Sequence, residues 1–550
     1  KRRLGSKGIE KSLRILRRTG HVEIAPVLED KRTRVLSERH YRLRDQDVAR
    51  SAICEIEKRA PRQAPCLHHL LAHPAAARRE LLAAGFSAAV LKGLEQRELI
   101  ESFAEEIVRD PLAHIESTSP TDLIPTADQQ LILAPLSAAL NKQSFYPALL
   151  HGVTGSGKTL VYILLVTQAL AAGRSSIILV PEIALAWQMV RRFKEHFGTE
   201  VAVLHSQLSA GERYDTWRRL RRGEQRVVIG ARSAILAPVD TLGLIVVDEE
   251  HDTSYKQEDL ESSHPLSYSA RDLALIRGQR SQALVLLGSA TPSLESYWNA
   301  TTGKYHLHAL PRRVDDRPLP EVTVVDMKRE PFQKKQRAIF SRELRLKIQD
   351  RLNRGEKIVL LQNRRGFSPF VTCVSCGESV QCKSCRVTLT YHRSETAPET
   401  RCHYCDFAAP PPPFCPTCNS AELRFDGVGT QKVESALLEQ FPGIRVIRMD
   451  VDTTGWKGAH DDLVERFRHG EADVLLGTQM VAKGLDFPEV TLVGVISADT
   501  GMHMPDFRAA ERTFQLLTQV AGRSGRGQTA GEVVIQTLLP DDEALRSASR

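Results

Sequence analysis

Eight consecutive residues, Gly152-Val153-Thr154-Gly155-Ser156-Gly157-Lys158-Thr159, have the make-up of a phosphate cradle. Side chains at 155 or 157 would obstruct the backbone N–H groups that must close around the anion, and a helix starting at the lysine aims its positive end at it. Lys158 would reach the β- and γ-phosphates, and Thr159 would ligate Mg²⁺. Gly152, Thr154, Gly155, Ser156 and Gly157 supply the rest of the loop. An apolar run from Phe145 to Leu150 precedes it and another from Leu160 to Ala172 follows, so strand, loop and helix agree. Farther on, Val246-Val247 leads straight into Asp248-Glu249-Glu250-His251. At the end of a buried strand beside such a loop, Asp248 would hold Mg²⁺ through water and Glu249 would orient the attacking water. These are the parts of a hydrolase acting on a nucleoside triphosphate.

A second chemistry lies in four Cys-x-x-Cys pairs: Cys373/Cys376, Cys382/Cys385, Cys402/Cys405 and Cys415/Cys418. Eight thiolates suit two tetrahedral Zn²⁺ sites, in a span whose Pro410–Pro413 run fits no core strand. Disulfides are disfavoured inside cells, and redox chemistry has no need of four pairs. Full Cys₄ sites leave no position open for water, so their role is structural or partner-binding. Spacing leaves the pairing open. Cys54 and Cys66 fall outside the set and read as ordinary residues.

The elements that position these groups follow from the apolar pattern. A chain of 550 residues exceeds one hydrophobic core, so several domains are expected. No apolar run reaches membrane-spanning length, and no basic-then-apolar leader is visible, which implies a soluble cytoplasmic protein. The chain opens on Lys1, so it is expected to begin inside a longer protein. Residues 1–50 carry 15 Lys/Arg against 7 Asp/Glu, the whole of the net +8, so 1–60 reads as a basic segment, either a phosphate-binding arm or a solvated face. Apolar residues at helical spacing from Leu67 to Leu94, then Ile100–Val108, predict three helices and a hairpin over 61–116, a winged helix whose last helix, about Ser87 to Leu99, can enter a groove. The same pattern serves spacers and docking modules. Residues 117–125 read as a linker. Two parallel α/β sheets follow. The first has strands near 177–180, 201–204, 227–229, 244–247 and 284–287, and the second near 358–361, 446–449, 474–476, 492–496 and 533–536.

Further motifs fall in order along the chain: Val180-Pro181-Glu182-Ile183-Ala184-Leu185, Gly230-Ala231-Arg232-Ser233-Ala234, Leu287-Gly288-Ser289-Ala290-Thr291-Pro292, Asn363-Arg364-Arg365-Gly366, Gly477-Thr478-Gln479-Met480, and Gln519-Val520-Ala521-Gly522-Arg523-Ser524-Gly525-Arg526. With the phosphate loop and Asp248–His251, they resemble the superfamily 2 helicases, and among these the bacterial primosomal replication-restart helicases, over roughly residues 60 to 540. The resemblance implies two RecA-like lobes clamping ATP. Lobe 1 is 126–310, and lobe 2 is 311–370 with 421–550, interrupted by a zinc module at 371–420. It implies Arg523 and Arg526 as arginine fingers, Gln519 on the phosphate or the water, and Gln129 on adenine. Ser289, Ala290 and Thr291 would couple nucleotide to strand binding, with Arg232, Ser233 and Gln479 on the DNA backbone. It suggests nested zinc pairing, Cys373, Cys376, Cys415 and Cys418 on one ion and the inner four on the other.

The implied activity is a 3′→5′ DNA helicase on branched or stalled forks that helps to reload the replicative helicase. Its partners would be forked DNA with single-stranded and duplex arms, primosome proteins and single-strand DNA-binding protein, and it would act as a nucleoid-associated monomer. The pattern departs from the family in three places. The domain that captures a 3′ strand end is not recognisable in 1–60, the chain stops shortly after Gln536, and Ser267-Tyr268-Ser269-Ala270-Arg271-Asp272 stands where the family has Arg-Tyr-His-Ala-Arg-Asp. Tyr255 and Tyr268 in that region are candidates for base stacking or for packing. The altered loop favours an alternative, a fork-binding and protein-recruiting scaffold with a weak or uncoupled ATPase. A duplex translocase is disfavoured by the eight-cysteine insert.

Overall fold

The structure is a computed structural model that describes residues 33, 35–113, 115, 123–181, 183–257, 267–314, 318–333, 336–362, 370–392, 398–424, 429–450, 453, 459–478, 481, 487, 489–524 and 531–549. The described residues of 1–110 with 209–215 form one compact unit, and those of 111–208 with 216–550 form another. Among the described residues no helix is long and apolar enough to cross a membrane.

The first unit is built on strand Ser37–Leu43. It pairs antiparallel with Ile100–Glu106 from Ser37↔Glu106 to Leu43↔Ile100, and on its other side with Ala75–Ala77. Helices Gln46–Arg59, Ala64–Ala72, Arg78–Ala83 and Ala88–Gln96 share its core of Tyr41, Ile53, Ile56, Leu67, Leu70, Leu81, Leu91, Leu94 and Ile100. Two expectations change here. The boundary at residue 60 moves upstream, because Ser37–Leu43 and Gln46–Arg59, capped by Asp45, lie inside this core. The hairpin at 100–108 becomes a single strand whose partner comes from 37–43. Charged residues crowd 37–59 and interrupt the apolar positions, such as Tyr41, Leu43, Ala49, Ile53 and Ile56, that mark its buried side. Most of the basic 1–60 segment, residues 1–32, lies outside the described residues.

The second unit holds two all-parallel sheets. In the first, the spatial order is His306–Leu310, Tyr146–Gly152, Leu284–Ser289, Leu242–Asp248, Ser175–Leu179, Val227–Gly230 and Val201–Leu204. Both faces are covered: Ile178 and Val246 join one apolar cluster, and Ile177, Leu179, Ile245 and Val247 join the other. That explains the unbroken apolar runs. The second sheet runs Glu321–Asp326, Glu532–Thr537, Val490–Val495, Lys357–Leu361, Val474–Gly477 and Val446–Met449, with Val359 and Leu361 on one face and Ile358 and Leu360 on the other. His306–Leu310 and Glu321–Asp326 are edge strands that the apolar pattern did not mark, because the first is mostly exposed and the second half-exposed.

Register then places the chemistry. Ser289 stands opposite His151 and Gly288 opposite Asp248, so three strands deliver the phosphate loop, Ser289 and Asp248 to one carboxyl edge, where open α/β sheets bind ligands. The cysteine-bearing segment leaves the second sheet after Leu361. Among the described residues its strand pairings are short and antiparallel, such as Thr372–Cys373 with Leu423–Arg424 and Thr390–His392 with Glu399–Arg401.

Candidate nucleotide site and cysteine clusters

The phosphate loop turns through Gly155 (φ +83°) and Gly157 (φ +79°), a left-handed conformation that L side chains rarely adopt. Gly157 caps helix Lys158–Ala171, and Thr159 lies in the first turn of that helix. Lys158 Nζ donates to Gly152 O at 2.8 Å. Ser156 Oγ is buried with no hydrogen-bond partner among the described residues, which fits a loop built to receive an acceptor. Gln129, expected on adenine, has a different placement. It is 1 % exposed, its Nε2 donates to Ser156 O at 3.0 Å, and its Oε1 accepts from Thr126 N at 2.9 Å. With both amide atoms engaged on backbone, Gln129 braces the loop from beneath. A Cβ on Gly157 would collide with its amide.

Asp248 ends its strand beside Tyr162 of the loop's helix, whose hydroxyl donates to Asp248 Oδ1 at 2.9 Å. Burial, followed by the charge of Glu249, pushes the Asp248 carboxyl up to about 7, against the opposing pull of Lys158. The site is short of positive charge, as a site for a divalent cation should be. Glu249 takes φ +47°, a strained backbone for a non-glycine residue. Glu250 is turned inward: it accepts from Ser293 N at 2.7 Å and Ser296 Oγ at 2.7 Å, and pairs with Arg271 at 3.2 Å. Removing Arg271 would leave the buried carboxylate with its serine hydrogen bonds but no charge partner, at a cost of up to about 3–5 kcal/mol.

The second lobe meets these groups through helix Ala509–Ala521. Gln519 Nε2 donates to His251 Nε2 at 2.9 Å and to Glu249 Oε2 at 3.3 Å. A proton on His251 Nδ1 then satisfies Ser289 Oγ at 2.8 Å, and Ser289 Oγ also accepts from Thr291 N at 2.9 Å. Carboxylate, histidine, serine and glutamine thus form one chain of hydrogen bonds across the lobes. Farther along the same contact, Leu294 N donates to Glu511 Oε1 at 3.0 Å, and Arg508 pairs with Glu295. Gly522 lies so near the phosphate loop that a Cβ on it would collide with Thr154. Arg523 follows directly and is half-buried. Arg526 is outside the described residues.

The cysteines fall into two clusters, Cys373, Cys376, Cys415 and Cys418, and Cys382, Cys385, Cys402 and Cys405, each with its sulfurs within 4.8 Å of one another. Separations of 3.5 Å for Cys373–Cys418 and 3.7 Å for Cys376–Cys415 and Cys382–Cys405 fit the edge of about 3.8 Å that tetrahedral Zn–S bonds of about 2.3 Å would give. All four Cys-x-x-Cys turns share one shape. The first cysteine's carbonyl accepts from the residue after the second, and that residue, Gly377, Arg386, Asp406 or Asn419, has positive φ. Backbone amides, that of Cys385 foremost, bring the Cys382 thiol down to about 7, while the hydrogen bond with Cys405, followed by burial, pushes the Cys385 thiol up to about 12.

A model of the DEAD/DEAH box helicases matches residues 126–298, and one of the helicase conserved C-terminal domain matches 414–528. Replication restart protein PriA of Bacillus subtilis (strain 168) is 48% identical over 497 residues, 89% of this chain and 60% of that one. Its counterpart in Chlamydia pneumoniae is 40% identical over 520 residues, 93% of this chain and 68% of that one. The chain belongs to the PriA family of replication restart proteins. It spans 60% of the length of the Bacillus subtilis PriA and 56% of that of Chlamydia trachomatis serovar D. Among solved structures, RecG bound to a three-way DNA junction aligns with 78% of this chain and 46% of its own, at TM-score 0.45 and 18% identity.

With the PriA family as frame, the DNA-facing expectations sort unevenly. Arg232 Nη1 donates to Ser254 O at 3.4 Å and Lys256 O at 3.1 Å, and its guanidinium lies over the Tyr268 ring at 5.8 Å. Tyr255 is packed, 2 % exposed, with its hydroxyl on Asp248 O at 2.6 Å, so it is no stacking platform. Gln479, Glu182, Asn363–Gly366 and residues 258–266 lie outside the described residues. Sequence reasoning assigned no role to His251, Tyr162, Glu250 or Arg271. His251 at least stood within a quoted motif, whereas Tyr162 sits in an apolar helix where nothing marks it.

Proposed function

We propose that the chain is the motor of an ATP-dependent DNA helicase that moves 3′→5′ and opens branched or stalled forks during replication restart, where it helps to reload the replicative helicase. The observation that carries this reading is the contact of Gln519 with Glu249 and His251, with Gly522 pressed on Thr154. It brings a second-lobe motif onto the hydrolytic groups of the first. Lys158 and the loop amides bind and neutralise the β- and γ-phosphates. Glu249 orients the attacking water and accepts its proton, while Gln519 fixes Glu249. Arg523, with Arg526, stabilises charge developing on the transferred phosphoryl group. Thr159 and Asp248 are the residues that would hold Mg²⁺, which when bound supplies the positive charge the buried carboxylate lacks. The two Cys₄ clusters would each hold a structural Zn²⁺. The chain of hydrogen bonds from Glu249 through Gln519 and His251 to Ser289 supports coupling of hydrolysis to movement on the strand. Forked DNA, primosome proteins and single-strand DNA-binding protein are the partners this reading implies, met in the cytoplasm.

Steady-state ATP hydrolysis with and without forked DNA, with strand displacement read in the same tubes, tests the proposal. Fork-stimulated hydrolysis and unwinding are expected, and Lys158→Ala is expected to lower both by at least about 100-fold. Tight fork binding without stimulated hydrolysis would leave a recruiting scaffold in place of a motor.

A further inference from the structure

We propose that Arg313 is a positioning residue for ATP hydrolysis, tying the phosphate loop of one lobe to the arginine-bearing loop of the other; this rests on the ATPase reading above. Strand His306–Leu310 runs parallel to Tyr146–Gly152, with Leu310 opposite Gly152. The two chains stay in step past the sheet: Val153 N donates to Leu310 O at 3.0 Å and Val314 N to Gly155 O at 3.0 Å. The segment that leaves the first sheet for Glu321–Asp326 in the second therefore passes along the phosphate loop. Three successive side chains use that track. Arg312 makes a bidentate pair with Asp128 at 2.9 and 2.6 Å, next to the Gln129 that braces Ser156. Val314 closes over Gly157, where an added Cβ would lie 3.1 Å from its Cγ2.

Arg313 lies between them and is 7 % exposed. Its Cγ, Cδ and Nε stand 3.6, 3.8 and 3.9 Å from the position of a Cβ on Gly155. Nη1 donates to Pro318 O at 3.2 Å, and Nη2 donates to Gly522 O at 3.5 Å. Gly522 immediately precedes Arg523. One planar guanidinium thus joins the linker carbonyl of Pro318 to the carbonyl that precedes Arg523, while its stem lies beside Gly155 of the phosphate loop. The contact to Gly522 is long enough that a small lobe movement makes or breaks it. Closure of the lobes would therefore tighten the hold on Gly522 and set the position of Arg523. A lysine carries the charge but cannot span both carbonyls.

The test uses the full chain with Arg313→Ala and Arg313→Lys, measuring fork-stimulated ATP hydrolysis, KM for ATP and Tm. For Arg313→Ala, kcat should fall at least about tenfold with KM changed less than about twofold and Tm unchanged. Arg313→Lys should recover less than half of the loss, and millimolar guanidinium should partly rescue Arg313→Ala. An unchanged kcat, a loss that follows a lowered Tm, or full activity in Arg313→Lys would overturn the proposal. If the wild type hydrolyses no ATP, the ATPase reading fails, and Arg313 is then judged by a dye pair, one on each lobe. An ATPγS-induced distance change that is lost in Arg313→Ala supports it, and one that persists overturns it.

Discussion

The nucleotide cleft and the cysteine module are built on opposite plans. In the module every ligand sits on a turn of one shape, closed by its own backbone hydrogen bond, and both clusters are complete between Cys373 and Cys418. The cleft takes Lys158, Asp248 and Ser289 from three strand ends of one sheet, and Gln519 from a helix 270 residues beyond Glu249. The hydrogen bonds that Gln519 and Leu294 make between the lobes are each worth about 1 kcal/mol net. That is small enough for a substrate to rearrange. The module should therefore fail as a structure, whereas the cleft should fail as a rate.

The largest effect is expected at the cysteines, because structural zinc binding contributes roughly 10–16 kcal/mol in small domains. Cys373→Ser and Cys418→Ser should each reduce bound zinc from two ions to one per chain, and so should Cys382→Ser, which removes the other ion. Metal analysis checks the count, and the Cys373→Ser/Cys382→Ser double variant should hold none. Binding of a fluorescent ATP analogue should change less than about twofold in the single variants. A single substitution that empties both clusters, or an equal loss of nucleotide affinity, would erase the contrast between the two regions.

Next in size is the cross-lobe relay. Gln519→Ala should lower kcat for ATP hydrolysis about tenfold while leaving KM and Tm nearly unchanged, since Gln519 hydrogen-bonds Glu249 and His251. His251→Ala should lower kcat by a similar factor. The double variant should be little worse than either single one, because both act on the same carboxylate. Additive losses would show that Gln519 and His251 work separately.

Much of the fold was legible because a parallel strand buried on both faces is an apolar run that polar neighbours do not interrupt. Ile177–Leu179, Val246-Val247 and Leu284–Leu287 are of this kind. Edge strands and the half-charged 37–59 stretch lack that signature, so His306–Leu310, Glu321–Asp326 and the start of the first unit went unread. The phosphate loop, Asp248-Glu249 and the cysteine pairs were legible because their chemistry is local in sequence. Spacing could not pair the cysteines, since all four turns are alike; that pairing came from family resemblance. Gln129 illustrates the opposite limit. Its place upstream of the loop was visible, but the geometry that turns its amide down onto Ser156 depends on how Thr126 caps the helix. The roles of His251 and Arg313 depend on lobe-to-lobe approach, which local spacing does not encode.

The smallest expected effect separates the two sheets by pH. His151 and His308, on neighbouring strands of the first sheet, are both pushed below the ordinary histidine value, mainly by burial; Lys158 adds to this at His151 and His306 at His308. A histidine held neutral in the fold binds fewer protons than it does unfolded, so stability is complete above about pH 6.5 and falls as acid protonates the unfolded chain. Between pH 7.5 and 5.5, hydrogen-exchange protection, corrected for intrinsic rate, should therefore drop in Tyr146–Gly152 and His306–Leu310 by more than in Val490–Val495 of the second sheet. In His308→Gln the drop at His306–Leu310 should shrink, because the titrating group is gone. Equal losses in both sheets would mean that acid acts on the unit as a whole and not through these two rings.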